Sequence, residues 1–251
     1  MEAFEIPTGS MAPTLMGQHV RLTGPDTGFN WAYGPHPDPS TMRAPAGITN
    51  LSVRDPMAGP ERQPLLYPEV RTRAGDRIFV LKYLEGVFGP ERWDNIVFKN
   101  PTVPSENYIK RLVGLPGEEV AFADGDVFVR PARPAAAGQP ASTPASDWSD
   151  PAWRIVRKPE RVQRQTWQPV FDSAYTPLSA RRGENRFTPP WVPAGSGWTV
   201  RDVAEYRYEN SGATALEWNS QRWPINDDEP YNPARNFPPV YPVPDIPVSL
   251  T

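Results

Sequence analysis

A mostly β protein with long proline-rich insertions is the fold class this sequence predicts, and three observations predict it. Short β-branched and aromatic runs recur between turn residues, as in "GDRIFVLKYL" and "DNIVFK". The 251 residues include 34 prolines, more than twice the usual share of about 5%, and proline excludes long helices because it lacks an N–H and clashes with the preceding turn. In "EVAFADGDVFVR", Asp124-Gly125 joins two alternating runs, the mark of a tight hairpin turn that needs positive φ.

Taken in order, Glu5 to Val20 is turn-rich and contains "EIPTGSMAPTL". The stretch "VRLTGPDTGFNWAYGPHPDPSTMRAPAG", dense in Gly, Pro, Asp and Ser, reads as irregular loop, and residues 23–68 as a loop insertion. Gly75 to Leu84 and Asp94 to Lys99 read as buried strands. A third strand follows from Tyr108 to Val113, which puts Tyr108, Lys110 and Leu112 on one face and Ile109, Arg111 and Val113 on the other. Gly114-Leu115-Pro116-Gly117 turns the chain into the hairpin. Segments 1–22 and 69–130 together form the β core. Residues 131–152 are a Pro/Ala/Ser-rich linker, and 153–251 an additional β-rich region with runs such as "WTVRDVAEYRYE", whose tryptophans are expected to fill the cores of short loops. The final "PPVYPVPDIPVSLT" stops in a strand-like run, so a truncated C-terminus is expected.

Composition narrows the function classes. An apolar content of 38% is enough for a core, and a net charge of −3 without a basic block argues against nucleic acid as a partner. No cysteine is present, so disulfides, thiolate zinc sites and cysteine nucleophiles are excluded. No window approaches the roughly 18 consecutive apolar residues of a transmembrane span, and Met1-Glu2 is followed by neither a positively charged region nor an apolar signal core.

Ser10 is the candidate nucleophile, and a serine hydroxyl needs a base within hydrogen-bond reach. The two histidines, His19 and His36, lie in Gly/Pro-rich stretches without a carboxylate placed to orient them, which leaves a Ser-His-Asp arrangement open but unsupported. Gly9-Ser10-Met11-Ala12 also lacks the Gly-x-Ser-x-Gly elbow. The lysines are Lys82, Lys99, Lys110 and Lys158. Arginine stays charged, but a lysine desolvated from a pKa of about 10.4 toward about 8 becomes neutral in roughly 10% of molecules at pH 7. Lys110, in mid-strand, fits that requirement best, although a solvated side chain is the ordinary reading of a strand lysine.

Two stretches together carry a family resemblance. "IPTGSMAPTL" resembles the nucleophile box of type I signal peptidases, the Ser-Lys endopeptidases that remove signal peptides from exported proteins, and "NYIKRLVGLPGEEV" resembles their lysine box. "GDRIFVLKY" and "RWDNIVFKNP" lie between them as the family's intervening strands do. The resemblance implies a coiled β-sheet catalytic core over 1–22 and 69–130, with Ser10 as nucleophile and Lys110 as general base. It also implies that Thr8 supplies a hydroxyl to the oxyanion together with the Ser10 backbone N–H, and that Met11 and Arg111 serve positioning or packing. No metal, nucleotide or other cofactor is implied. The expected substrate is an extended preprotein segment, and the expected location is a membrane surface on the outer, periplasmic face of the cytoplasmic membrane.

The family's membrane anchor and its Gly-Asp-Asn-rich box are not recognised here, so the chain is expected to be a fragment, weakly active or inactive. Two alternatives stand beside this reading: a self-cleaving Ser-Lys peptidase, and a catalytically incompetent β-rich interaction module.

Overall fold

A computed structural model describes residues 2–35, 43–60, 62–81, 88–123, 125–132, 148–226, 230–232, 243 and 246–249. In chain order, the first strands are β1 (Glu2–Glu5), β2 (Val20–Thr23), β3 (Asn30–Tyr33), β4 (Gly47–Val53), β5 (Leu65–Arg71), β6 (Arg77–Val80), β7 (Asn95–Lys99) and β8 (Asn107–Arg111). They continue with β9 (Glu118–Ala123), β10 (Asp126–Pro131), β11 (Arg154–Ile155), β12 (Trp191–Ala194), β13 (Trp198–Arg201), β14 (Glu205–Tyr208) and β15 (Ala215–Trp218). Helix α1 (Glu160–Thr166) and the single turn α2 (Leu178–Arg181) are short, as the prolines dictate. The fold is mostly β. Among the described residues all pairing is antiparallel, in six two-stranded ribbons and one three-stranded sheet, β11-β10-β9.

The chain divides into two compact units. One comprises Met1–Glu5, Arg77–Trp167 and Val243–Thr251, the other Ile6–Asp76 and Gln168–Pro242.

In the first unit, the hairpin read from Asp124-Gly125 is present: Ala123 pairs with Asp126, and Gly125 takes φ +82°. Asp124 itself lies outside the described residues. Val127 and Val129 alternate inward from β10 and pack with Trp93 and with Val162 of α1. At about 1.5–3 kcal/mol per fully buried aliphatic side chain, this small cluster is what fixes α1 to the sheet. The guanidinium of Arg130, 1% exposed, is bound by Glu119 at 2.7 Å and Asp150 at 3.0 Å and lies 4.5 Å from the Trp153 ring centre.

The stretches around β6 and β7 form strands, but not buried ones. Phe79 is 71% exposed and Phe98 37%. An apolar, β-branched run specifies an extended conformation; whether a second layer covers it depends on distant parts of the chain.

In the second unit, the stretch read as irregular loop contains the antiparallel pair β2–β3, and the rest of the segment read as a 23–68 insertion contributes β4 and the start of β5, which pair with each other. On β2, Val20 and Leu22 alternate inward and face Tyr33 and Trp31 of β3. Leu51 and Val53 of β4 complete that core, with Leu65, Tyr67 and Val70 of β5 packed against it. Strands of four residues between Gly and Pro leave too little alternation to read. Asp55 is buried beneath the β2–β3 hairpin and accepts hydrogen bonds from Thr27 Oγ1 at 2.6 Å and the Met57 N–H at 2.9 Å. Further along the same unit, β13 and β14 form the hairpin of "WTVRDVAEYRYE", and tryptophans fill small cores. Trp223 is buried, with Phe171, Phe187 and Trp218 edge-on to it.

His36, Lys82, residues 133–147 of the linker and most of "PPVYPVPDIPVSLT" lie outside the described residues. Among the described residues, no helix is long and apolar enough to cross a membrane.

Candidate active site

From Ile6 onward, the stretch "EIPTGSMAPTL" folds as a closed turn in the second unit. At its base, the Ile6 N–H donates to the Asp76 carbonyl at 2.9 Å, and Asp76 binds the Met16 carbonyl at 2.8 Å and the Met16 N–H through its carboxylate at 2.7 Å. A further bond runs from the Gln18 N–H to the Pro7 carbonyl at 3.3 Å. Within the loop, the Ala12 N–H donates to the Gly9 carbonyl and the Leu15 N–H to the Met11 carbonyl, both at 2.9 Å. The Ala12-Pro13 peptide is cis. Gly17 is required by close approach: a Cβ there would lie 2.3 Å from the Thr8 backbone. Met11 is buried and anchors the turn, Thr8 is half-buried, and Ser10 is exposed at the crest.

His19 is buried beside this turn. It forms a backbone bridge with Arg73 and spends its Nδ1 on the Gly17 carbonyl at 2.9 Å rather than on a carboxylate. Its Nδ1 is thus engaged by a backbone carbonyl and not by the carboxylate of a Ser-His-Asp arrangement.

Lys110 and Arg111 lie on β8 of the first unit, paired with β7 so that Lys110 faces Ile96 and Arg111 faces Asn95. Lys110 shares a face with Tyr108, as the alternation predicts. Its Nζ lies 5.6 Å from the Tyr108 ring centre and donates to the Ile109 carbonyl at 3.0 Å. The side chain is exposed. Arg111 is half-buried and donates to the Trp93 carbonyl at 3.0 Å. It ties the strand to a residue that is itself buried and held at φ +79°.

The turn after the lysine strand is fixed by Glu118. Its carboxylate takes two 2.7 Å bonds from Arg92 and one of 2.9 Å from the Leu115 N–H, and Arg92 also donates to the Val113 carbonyl. The Arg92 hydrogen bonds, followed by that from Leu115, hold the Glu118 carboxyl below the usual carboxylate range. Because the folded-state pKa is depressed, this stability is fully present above the unfolded value of about 4.3 and is lost as pH falls through the folded one. Glu118→Gln is therefore expected to lower stability at pH 7 by about 2 kcal/mol and to reduce its loss in acid, measured by urea denaturation at pH 7 and pH 3.

The structure thus gathers Thr8, Ser10 and Met11 on one turn and Lys110 and Arg111 on one strand, each group within its own unit. Missed in the sequence were Tyr231 and Asn232, which pack against the serine turn. "PYNP" reads only as another proline-flanked turn, and no local pattern connects it to Gly9.

Comparisons with known proteins point to one family. The profile of the family described as "Signal peptidase, peptidase S26" matches residues 63–198, more than half of the chain, a span that contains Lys110 and Arg111 and begins after the serine turn. A signal peptidase I of Rickettsia typhi is 45% identical over 129 residues, covering 51% of this chain and 35% of that protein. That of Rickettsia prowazekii is 45% identical over 131 residues, with the same coverage of each chain. One from Pseudomonas aeruginosa is 30% identical over 123 residues, 49% of this chain and 27% of that protein. The chain spans about a third of the length of the curated relatives it matches. No solved structure matches it.

Proposed function

This chain belongs to the signal peptidase, peptidase S26 family, and on that premise we propose that it is a serine endopeptidase that removes N-terminal signal peptides from exported preproteins by a Ser10-Lys110 dyad. The observation that carries the reading is the serine turn itself. A loop closed at its base and anchored by buried Met11 presents Ser10 exposed, with Thr8 two residues before it.

In the proposed mechanism, the neutral Lys110 amine takes the Ser10 hydroxyl proton as Oγ bonds to the scissile carbonyl carbon. The resulting O⁻ is met by the Thr8 hydroxyl and the Ser10 N–H. The Lys110 ammonium then protonates the departing amine as the C–N bond breaks. Water, deprotonated by the same amine, hydrolyses the acyl-enzyme. Exposed in the free chain, Lys110 needs water excluded from its amine before it can act as a base, and an extended substrate laid along the site as an added strand would do this.

The substrate class is a preprotein segment with small residues at positions −1 and −3 before the cut. A peptide with alanine at both positions is expected to be cleaved after position −1 and to resist cleavage once −1 is bulky, with mass spectrometry locating the cut. Thr8→Val removes one oxyanion donor while keeping the shape, and is expected to lower kcat by about 100-fold with little change in KM.

The first unit also exposes Phe79, Leu81, Phe88, Phe98 and Phe122. We infer that these exposed apolar side chains meet the membrane on its outer face, where exported chains emerge. Co-sedimentation with phospholipid vesicles should fall when Phe79 and Phe122 are changed to serine; unchanged binding would count against their role.

A further inference from the structure

The backbone N–H of Ser10 belongs to the same peptide unit as the Gly9 carbonyl. Because that unit is planar, whatever fixes the direction of the carbonyl also aims the N–H. The Gly9 carbonyl accepts two hydrogen bonds. One comes from the Ala12 N–H inside the turn, at 2.9 Å. The other comes from Asn232 Nδ2 at 3.0 Å, a side chain 223 residues away in sequence.

Tyr231 brings Asn232 to that position. It is 3% exposed, its carbonyl accepts from the Gly34 N–H at 2.7 Å, and its hydroxyl donates to the Gln18 carbonyl at 3.3 Å. The ring lies against two glycines that could not carry a side chain: a Cβ on Gly9 would sit 2.1 Å from the ring and one on Gly34 2.6 Å from it. Bare backbone at both positions is what lets the tyrosine seat.

We propose that Asn232, seated by Tyr231, is a positioning residue for the peptidase reaction: it orients the Gly9-Ser10 peptide so that the Ser10 N–H points at the developing oxyanion. Its hydrogen bond to the carbonyl also polarises the peptide and strengthens the N–H as a donor. This rests on the reading of Ser10 as nucleophile and oxyanion donor. Asn232 is exposed, so its replacement leaves the core intact.

The test compares wild type, Asn232→Ala and Asn232→Asp for the rate of acylation by a serine-directed probe, for kcat and KM on the peptide substrate, and for hydrogen exchange across residues 8–16. Asn232→Ala is expected to lower the acylation rate and kcat by about ten- to a hundredfold with KM unchanged, and to speed exchange in that segment. Asn232→Asp, which turns a carboxylate toward the Gly9 carbonyl, is expected to lower them further. Faster exchange with an unchanged acylation rate would overturn the positioning role while leaving Ser10 as nucleophile. Unchanged exchange would overturn the contact itself. A wild-type chain that the probe never acylates would instead overturn the nucleophile reading, and the positioning role with it.

Discussion

Lys110→Ala and Ser10→Ala are each expected to lower turnover of a signal-peptide substrate by about 10⁴-fold or more, and the double variant to be no worse than either single one. The non-additivity follows from the proposed chemistry: if the amine matters only because it removes the Ser10 proton, then once either partner is gone the other contributes nothing further. Lys110→Arg is expected to be as damaging as Lys110→Ala, because a guanidinium stays protonated at every workable pH and cannot accept the proton. Steady-state kinetics of these variants measures all of this. Additive losses, or an active arginine variant, would remove Lys110 from the mechanism.

Arg130→Met is expected to cost about 3–5 kcal/mol of stability, the largest structural effect among these variants. The Arg130 side chain is almost wholly enclosed, with Glu119 and Asp150 bound to its nitrogens and Trp153 beside its plane. Methionine fills similar space but leaves two carboxylates facing an apolar group and removes the cation–π contact. Arg130→Lys should recover only part of the loss, since an ammonium cannot reproduce the planar fork that reaches both carboxylates. The midpoint of urea denaturation reports the size of the effect. A change below about 1 kcal/mol would mean that the enclosed ion pairs contribute no more than surface ones.

Much of the first unit was legible because its signals are local. Asp124-Gly125 sets a two-residue hairpin by backbone chemistry alone, and the alternation read from Tyr108 to Val113 placed Tyr108 and Lys110 on a common face, although the strand itself runs from Asn107 to Arg111. Burial was not legible, because it depends on what covers a strand: Phe79 and Phe98 sit in runs that read as core yet face outward. Lys110 illustrates the same limit at the site, since its mid-strand position suggested an apolar surround while the side chain is exposed.

In the second unit, the strands Val20–Thr23 and Asn30–Tyr33 were hidden by their flanking Gly, Pro and Asp residues, which are turn residues of a hairpin rather than marks of irregular chain. The serine turn was legible as a motif, but the contacts that hold it were not. Asp76 is 60 residues from Met16, and Asn232 is 223 from Gly9; pairings at such separations leave no periodic trace.

The most direct test of the Ser10-Lys110 dyad is covalent. The chain would be incubated with a serine-directed acylating probe at mildly alkaline pH, digested, and the adduct located by tandem mass spectrometry in wild type, Ser10→Ala and Lys110→Ala. One adduct on Ser10 in the wild type, absent from both variants, is the result predicted; an adduct on another residue, or one on Ser10 that persists at full rate in Lys110→Ala, would contradict it.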